Sequence, residues 1–274
     1  MSSENNKLST YLRILSYSVL AFTLAFLINN LFTVWGGWPG IKKVFSHYDL
    51  FGYKQKSLEP SDLTYGYIQI LIYIVCILSV IFYVFKTYTQ TLVDDSEILT
   101  KFSAYLIRGS FWAVFLVGIA DFIISFMVVE RLWEAIFSPE VKAFMVKAPE
   151  RITYIHFPII LVSFIIGYFT KSVGFIWLAV LVVLSEFVIV LSRFVFSYEQ
   201  AFQGDLVRFW YAALYLFASA YALIHEGHVR VDVLYSSFSE KKKAWTNVLG
   251  SSLLGVPLCL IVLFLGLNGK ASII

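Results

Sequence analysis

Leu63-Thr-Tyr-Gly-Tyr-Ile-Gln-Ile-Leu-Ile-Tyr-Ile-Val-Cys-Ile-Leu-Ser-Val-Ile-Phe-Tyr-Val-Phe85 contains no Asp, Glu, Lys, Arg or His. A bilayer core of about 30 Å needs about 20 apolar helical residues, so this stretch is long enough to cross it. Its Val, Ile and aromatic residues would suit a strand in water. In lipid, backbone N–H and C=O groups need partners within their own segment, so the stretch is a helix. Six more runs read the same way: Ile14–Trp35, Gly109–Val129, Ile152–Thr170, Ser172–Ser192, Leu206–Ile224 and Asn247–Gly266. The expected fold is all-α, a polytopic integral membrane bundle of about seven transmembrane helices with interfacial amphipathic helices between them.

Composition supports this. Of 274 residues, 59% are hydrophobic and 14% charged, with Lys plus Arg 21 against Asp plus Glu 18 and a net charge of +3. Soluble domains carry roughly a quarter charged residues, so a water-soluble enzyme is excluded. A disordered chain and a nucleic-acid binder are excluded as well, the latter because no concentrated basic surface is available. Cys76 and Cys259 sit inside apolar runs and form neither a disulfide framework nor a structural zinc site.

Residues 1–10 are polar, and Ile14–Trp35 follows without charge. It is too long for the apolar part of a signal peptide and reads as a first span that stays attached. The loop over 36–62 opens with Trp35-Gly-Gly-Trp38-Pro39-Gly40. It then spaces Ile41, Val44, Phe45 and Tyr48 as one face of a short interfacial helix. Residues 130–151 form a second long loop, with Pro139 and Pro149, and the short link at Lys171 makes a tight antiparallel hairpin. With the N-terminus in the cytoplasm, ten of the 21 basic residues fall on that side, so charge alone does not orient the chain. The cluster Lys241, Lys242 and Lys243 favours a cytoplasmic location for 225–246. Residues 234–245 are expected to form an amphipathic helix along that surface, the three lysines reaching lipid phosphates.

The candidate chemistry is sparse. His225-Glu226-Gly227-His228 has its histidines three apart rather than the four of a zinc protease helix, Gly227 weakens any helix, and no third ligand is evident. His156, near the end of a span, reads as an interfacial histidine rather than a haem ligand. Asp121 and Glu186 lie inside apolar runs, where an acid costs a few kcal/mol or more. Two readings stand for them: an ion path, or a protonated acid hydrogen-bonded to a neighbouring helix. Glu186 and Arg193, seven apart, share a helix face two turns apart. No nucleophile–base pair, phosphate loop or redox motif appears, so no catalytic residue, metal or cofactor is expected.

The most distinctive text is Ala220-Tyr-Ala-Leu-Ile-His-Glu-Gly-His-Val-Arg-Val-Asp-Val-Leu-Tyr235. Its His228-Val229-Arg230-Val231-Asp232 block resembles that of the small membrane subunit, DctQ type, of tripartite ATP-independent periplasmic (TRAP) transporters. Arg193-Phe194-Val195-Phe196 resembles the end of that family's first helix, and Ser239-Glu-Lys-Lys-Lys-Ala-Trp245 its basic lead into the third. The likeness covers roughly residues 173–266 and is nearest the mannitol/chloroaromatic branch. Three of the family's four helices are visible and the fourth is absent. Residues 1–172 form an N-terminal membrane extension of about four spans. The resemblance implies a non-enzymatic subunit in the bacterial inner membrane. It would scaffold a large sodium-coupled membrane subunit and help a periplasmic solute-binding protein dock during uptake of organic-acid-type solutes. His228, Arg230, Asp232 and Arg193 would be its interface motif. Membrane lipids are further partners, and nucleic acid is not. The competing reading is an ion-translocating or channel-like protein using Asp121 and Glu186.

Overall fold

The computed structural model describes residues 3–52, 57–171, 175–198, 201–224 and 234–266. In chain order the helices are α1 (Ser3–Val34), α2 (Ile41–His47), α3 (Pro60–Lys86), α4 (Leu92–Val129), α5 (Trp133–Ile136), α6 (Pro139–Val146) and α7 (Ala148–Arg151). They continue with α8 (Phe157–Phe169), α9 (Phe175–Phe196), α10 (Ala201–Ile224), α11 (Glu240–Gly250) and α12 (Val256–Gly266). No strand forms among the described residues. The protein is an all-α membrane bundle.

Six helical stretches among the described residues are long and apolar enough to cross a bilayer, and each overlaps one of the expected spans over most of its length. The remaining expected span, Leu206–Ile224, is formed as helix α10 but is not among the six. It carries Asp205 and Arg208 at its start and three tyrosines along its length. The third span begins well before Gly109. α4 has 38 residues, about 57 Å at 1.5 Å per residue, nearly twice a bilayer core. Its first turns (Leu92-Val-Asp-Asp-Ser-Glu-Ile-Leu) carry Asp94 and Asp95 where negative charge favours a helix N-terminus.

Two π-helical turns widen the bundle helices, Ile152–His156 before α8 and Ser251–Gly255 before α12. Each ends two residues before a proline, Pro158 or Pro257. A proline inside a helix lacks the N–H for the carbonyl four residues back and crowds it. One inserted residue relieves the crowding while the helix stays continuous. The expected surface helix over 234–245 is therefore not a separate element. After a 3₁₀ turn at Tyr235–Ser237, α11 runs through the second π turn into α12 as one stretch, Glu240–Gly266. Ser239 occupies the N-cap position with Glu240 in the first turn, and no proline interrupts the path from the lysines into the apolar run.

The chain packs as two compact units, one of Met1–Asp95 with Val231–Ile274, the other Ser96–Arg230. In the first, α1 and α3 pair antiparallel. Tyr17 meets Tyr83 edge-on, ring centres 5.3 Å apart, and Phe22 meets Tyr73 at 5.3 Å. Phe264 of α12 stands edge-on to Phe26 at 4.4 Å. The expected interfacial helix is α2. It buries Val44, and a Cβ on Gly66 of α3 would strike that valine. The turn before it depends on Gly40, whose φ of 79° suits glycine. Its N–H donates to the Oε1 of fully buried Gln69 at 2.9 Å, and Gln69 Nε2 donates to Thr33 Oγ1 at 3.0 Å. One amide side chain thus ties the Gly-rich loop to both long helices.

In the second unit α4 is the central element. Along one side it meets α8 so closely that a Cβ on Gly167 would lie 2.7 Å from the backbone nitrogen of Gly109. Small residues at such a crossing let backbones approach, which is how helices associate where lipid removes any hydrophobic drive between them. Arg108 Nε donates to Gly167 O at 3.1 Å and Tyr105 OH to Phe164 O at 3.3 Å, using carbonyls of α8. Elsewhere α4 joins α9 and α10 in an apolar core of Phe111, Leu178, Leu206, Trp210 and Ala213. Between α4 and α8, Trp133 is buried and packs on Phe137. Lys142 bonds Glu134 and holds its carboxyl below the usual carboxylate range. This exposed link is present above that range and is lost as pH falls through the lowered value.

Candidate functional site

Buried charge in a membrane bundle marks function or a structural joint, and the two units each hold one such place. In the second, Asp121 is nearly four-fifths of the way along α4. Its Oδ1 lies 2.9 Å from His156 Nε2 and 3.4 Å from Arg151 Nε. His156 closes the first π turn, and Arg151 ends α7 just before it. The widened turn follows from Pro158, so a proline two residues away helps set where the imidazole stands. The Asp121 side chain is one-third exposed and that of His156 is 12% exposed. The cluster joins α4 to the start of α8 through one carboxylate shared by an imidazole and a guanidinium.

Asp121→Asn keeps the shape and removes the charge. Because the site is partly open, the expected cost is about 1 kcal/mol, a fall of about 2–4 °C in the thermal midpoint. Thermal unfolding of the purified protein in detergent measures it, and an unchanged midpoint would mean the cluster holds nothing together.

In the first unit, Arg13 is 2% exposed. Its Nε donates to Asp95 Oδ2 at 2.5 Å and its Nη2 to Asp95 Oδ1 at 3.2 Å, a two-pronged grip on one carboxylate. Nη1 donates to the carbonyl of Thr87 at 2.7 Å, and Nη2 to Thr87 Oγ1 at 2.9 Å. The planar guanidinium fits this fork as an ammonium could not. It binds the start of α1 to the end of α3 and the first turn of α4. The pair is 82 residues apart in sequence. Its only sequence signal is a charge at the edge of the first apolar run.

The residues singled out from sequence fare differently. Asp121 gains two partners that sequence did not connect to it. Glu186 lies exposed on α9 and makes no hydrogen bond or ion pair with a described residue, so it and Asp121 share no network there. Arg193 is exposed in the last turn of α9. Lys241 and Lys242 are exposed in the first turns of α11, where they line a shallow surface groove with Phe238, Trp245 and Leu249. Lys243 pairs with Glu240 at 3.0 Å and lies 6.0 Å from the centre of the Tyr235 ring. His228, Arg230 and Asp232, with His225 and Glu226, lie outside the described residues. Among the described residues no group of three metal-ligating side chains comes together.

Comparison with known proteins gives one match. Residues 180–273 match the model of the family described as tripartite ATP-independent periplasmic transporters, DctQ component. The match spans most of α9, all of α10 to α12 and the segment that carries the His228-to-Asp232 block. Neither the curated proteins nor the solved structures gave a match.

Proposed function

We propose that this protein is the small membrane subunit of a sodium-coupled TRAP transporter. It scaffolds the large transport subunit and helps a periplasmic solute-binding protein dock for uptake of organic-acid-type solutes. The observation that carries the reading is the family match over 180–273 on consecutive long helices. The charge pattern fits it: among the described residues the buried pair Arg13 and Asp95 and the partly exposed pair Asp121 and His156 are both spent on joints between helices. On this reading the chain has no catalysis and no solute site of its own. It lies in the bacterial inner membrane with its N-terminus and Lys241–Lys243 in the cytoplasm, and its nearest branch is the mannitol/chloroaromatic one. Residues 1–172 are an added membrane extension, and 173–274 the family domain.

The interface motif is proposed to be His228, Arg230 and Asp232 with Arg193. In an extended segment the alternation places the three polar groups on one side and Val229, Val231 and Val233 on the other. Arg230→Ala and Asp232→Ala are expected to lower both assembly with the large subunit and solute uptake several-fold. The solute-binding protein's affinity for solute should stay as it was. Pull-down and uptake on the same membranes test this, and two variants that assemble and transport like the parent would contradict the motif. Translocation through Asp121 and Glu186 has one favourable observation, the contact of Asp121 with His156, but no described partner joins Glu186 to it.

A further inference from the structure

α4, α9 and α10 leave a cleft of about 430 Å³ between them, inside the second unit. Its floor is buried Leu206 and Trp210 of α10, and its lip is exposed Ile123, Leu184 and Val188. The lip residues belong to two of the bilayer-length helical stretches, Leu92–Val129 and Leu178–Val195, so the cleft opens into hydrocarbon rather than water. At one end stands Gln203, the third residue of α10, only 7% exposed. Its Oε1 is buried without a hydrogen-bond donor. A buried acceptor left unmet is costly, and in a bilayer no bulk water reaches it.

We propose that the cleft holds an acyl chain of a phospholipid whose headgroup ammonium donates to Gln203 Oε1. Gln203 sits at a helix end, where headgroups lie. Leu206 and Trp210 continue one and two turns deeper on the same face, where the chain runs. A pocket of this volume, apolar with one placed polar atom, falls within the roughly 300–1,000 Å³ of small-molecule sites. A choline headgroup has no N–H to offer, whereas ethanolamine has three.

The test reconstitutes the full chain in vesicles of equal ethanolamine and choline phospholipid with matched acyl chains. The protein is then extracted in mild detergent and the retained lipid is counted by mass spectrometry. The parent should retain ethanolamine lipid about tenfold over choline lipid, as one hydrogen bond to a charged donor allows. Gln203→Leu, which removes the unmet acceptor without emptying the site, should retain lipid with no preference. Leu184→Trp, which plugs the lip, should retain none there. Equal retention of both lipids by the parent overturns the proposal, as does an unchanged preference in Gln203→Leu. A photoreactive group at position 184 gives a readout in native membranes that needs no reconstitution: it should label phospholipid, and a cross-link to a polypeptide instead overturns the proposal too.

Discussion

Arg13→Ala is expected to destabilise the protein by about 3–5 kcal/mol, the largest effect of any single change considered. The substitution leaves Asp95 in place, 4% exposed and without its counter-charge, and breaking a buried pair from one side is far more damaging than never having had it. It also strips donors from the Thr87 carbonyl and hydroxyl and from Gln90, at 2.7, 2.9 and 3.4 Å. Three segments lose their common tie together: the start of α1, the end of α3 and the first turn of α4. Arg13→Lys should recover little, because an ammonium cannot present the two-pronged contact to Asp95. The double variant Arg13→Met with Asp95→Leu should recover most of the loss, since no uncompensated charge remains. Thermal unfolding of the four proteins in one detergent reads this out. Equal stability of Arg13→Ala and the parent would mean that the guanidinium is solvated rather than gripped.

Gly167→Leu is expected to cost about 1–3 kcal/mol or beyond and to separate α8 from α4. The obstruction at Gly167 is backbone, Gly109 nitrogen at 2.7 Å and its Cα at 2.8 Å from an added Cβ. Backbone cannot swing aside as a side chain can, so the helices must move apart. Moving them also stretches the Arg108 and Tyr105 bonds to α8 carbonyls. Gly109→Leu meets the Phe164 ring instead, and a ring can rotate, so its cost should be smaller. A cysteine pair placed across the two helices would cross-link in the parent and fail in Gly167→Leu. Cross-linking of both alike would show that the crossing tolerates bulk.

These two joints also mark what the sequence could and could not reveal. Long uncharged runs such as Leu63–Phe85 announce their helices, because bilayer length and the need to satisfy the backbone leave one solution. The short pattern Ile41, Val44, Phe45, Tyr48 was readable for the same reason of spacing, and α2 does bury Val44. Pairings were not readable. In the sequence Arg13 is only a charge beside the first apolar run, and only folding brings Thr87 and Asp95 to it. His156 looked interfacial, and Asp121 had no visible partner, because the 30-odd residues between them hide which helix returns beside which. Pro158 and Pro257 were available signals for the π turns: a proline deep in an apolar run asks where the carbonyl four residues earlier is to go. The lysines of α11 were readable as a basic cluster. That they lead straight into the last span follows from the lack of any proline between Lys243 and Val256.

The central claim is that the chain works only beside a larger membrane protein, and the most direct measurement is its composition when gently extracted. The full chain, tagged and expressed from its own membranes, should co-purify in a fixed ratio with a polytopic subunit of about a dozen spans. It should show no solute transport when reconstituted alone. A stable, transport-active preparation containing this chain and nothing else would contradict the account.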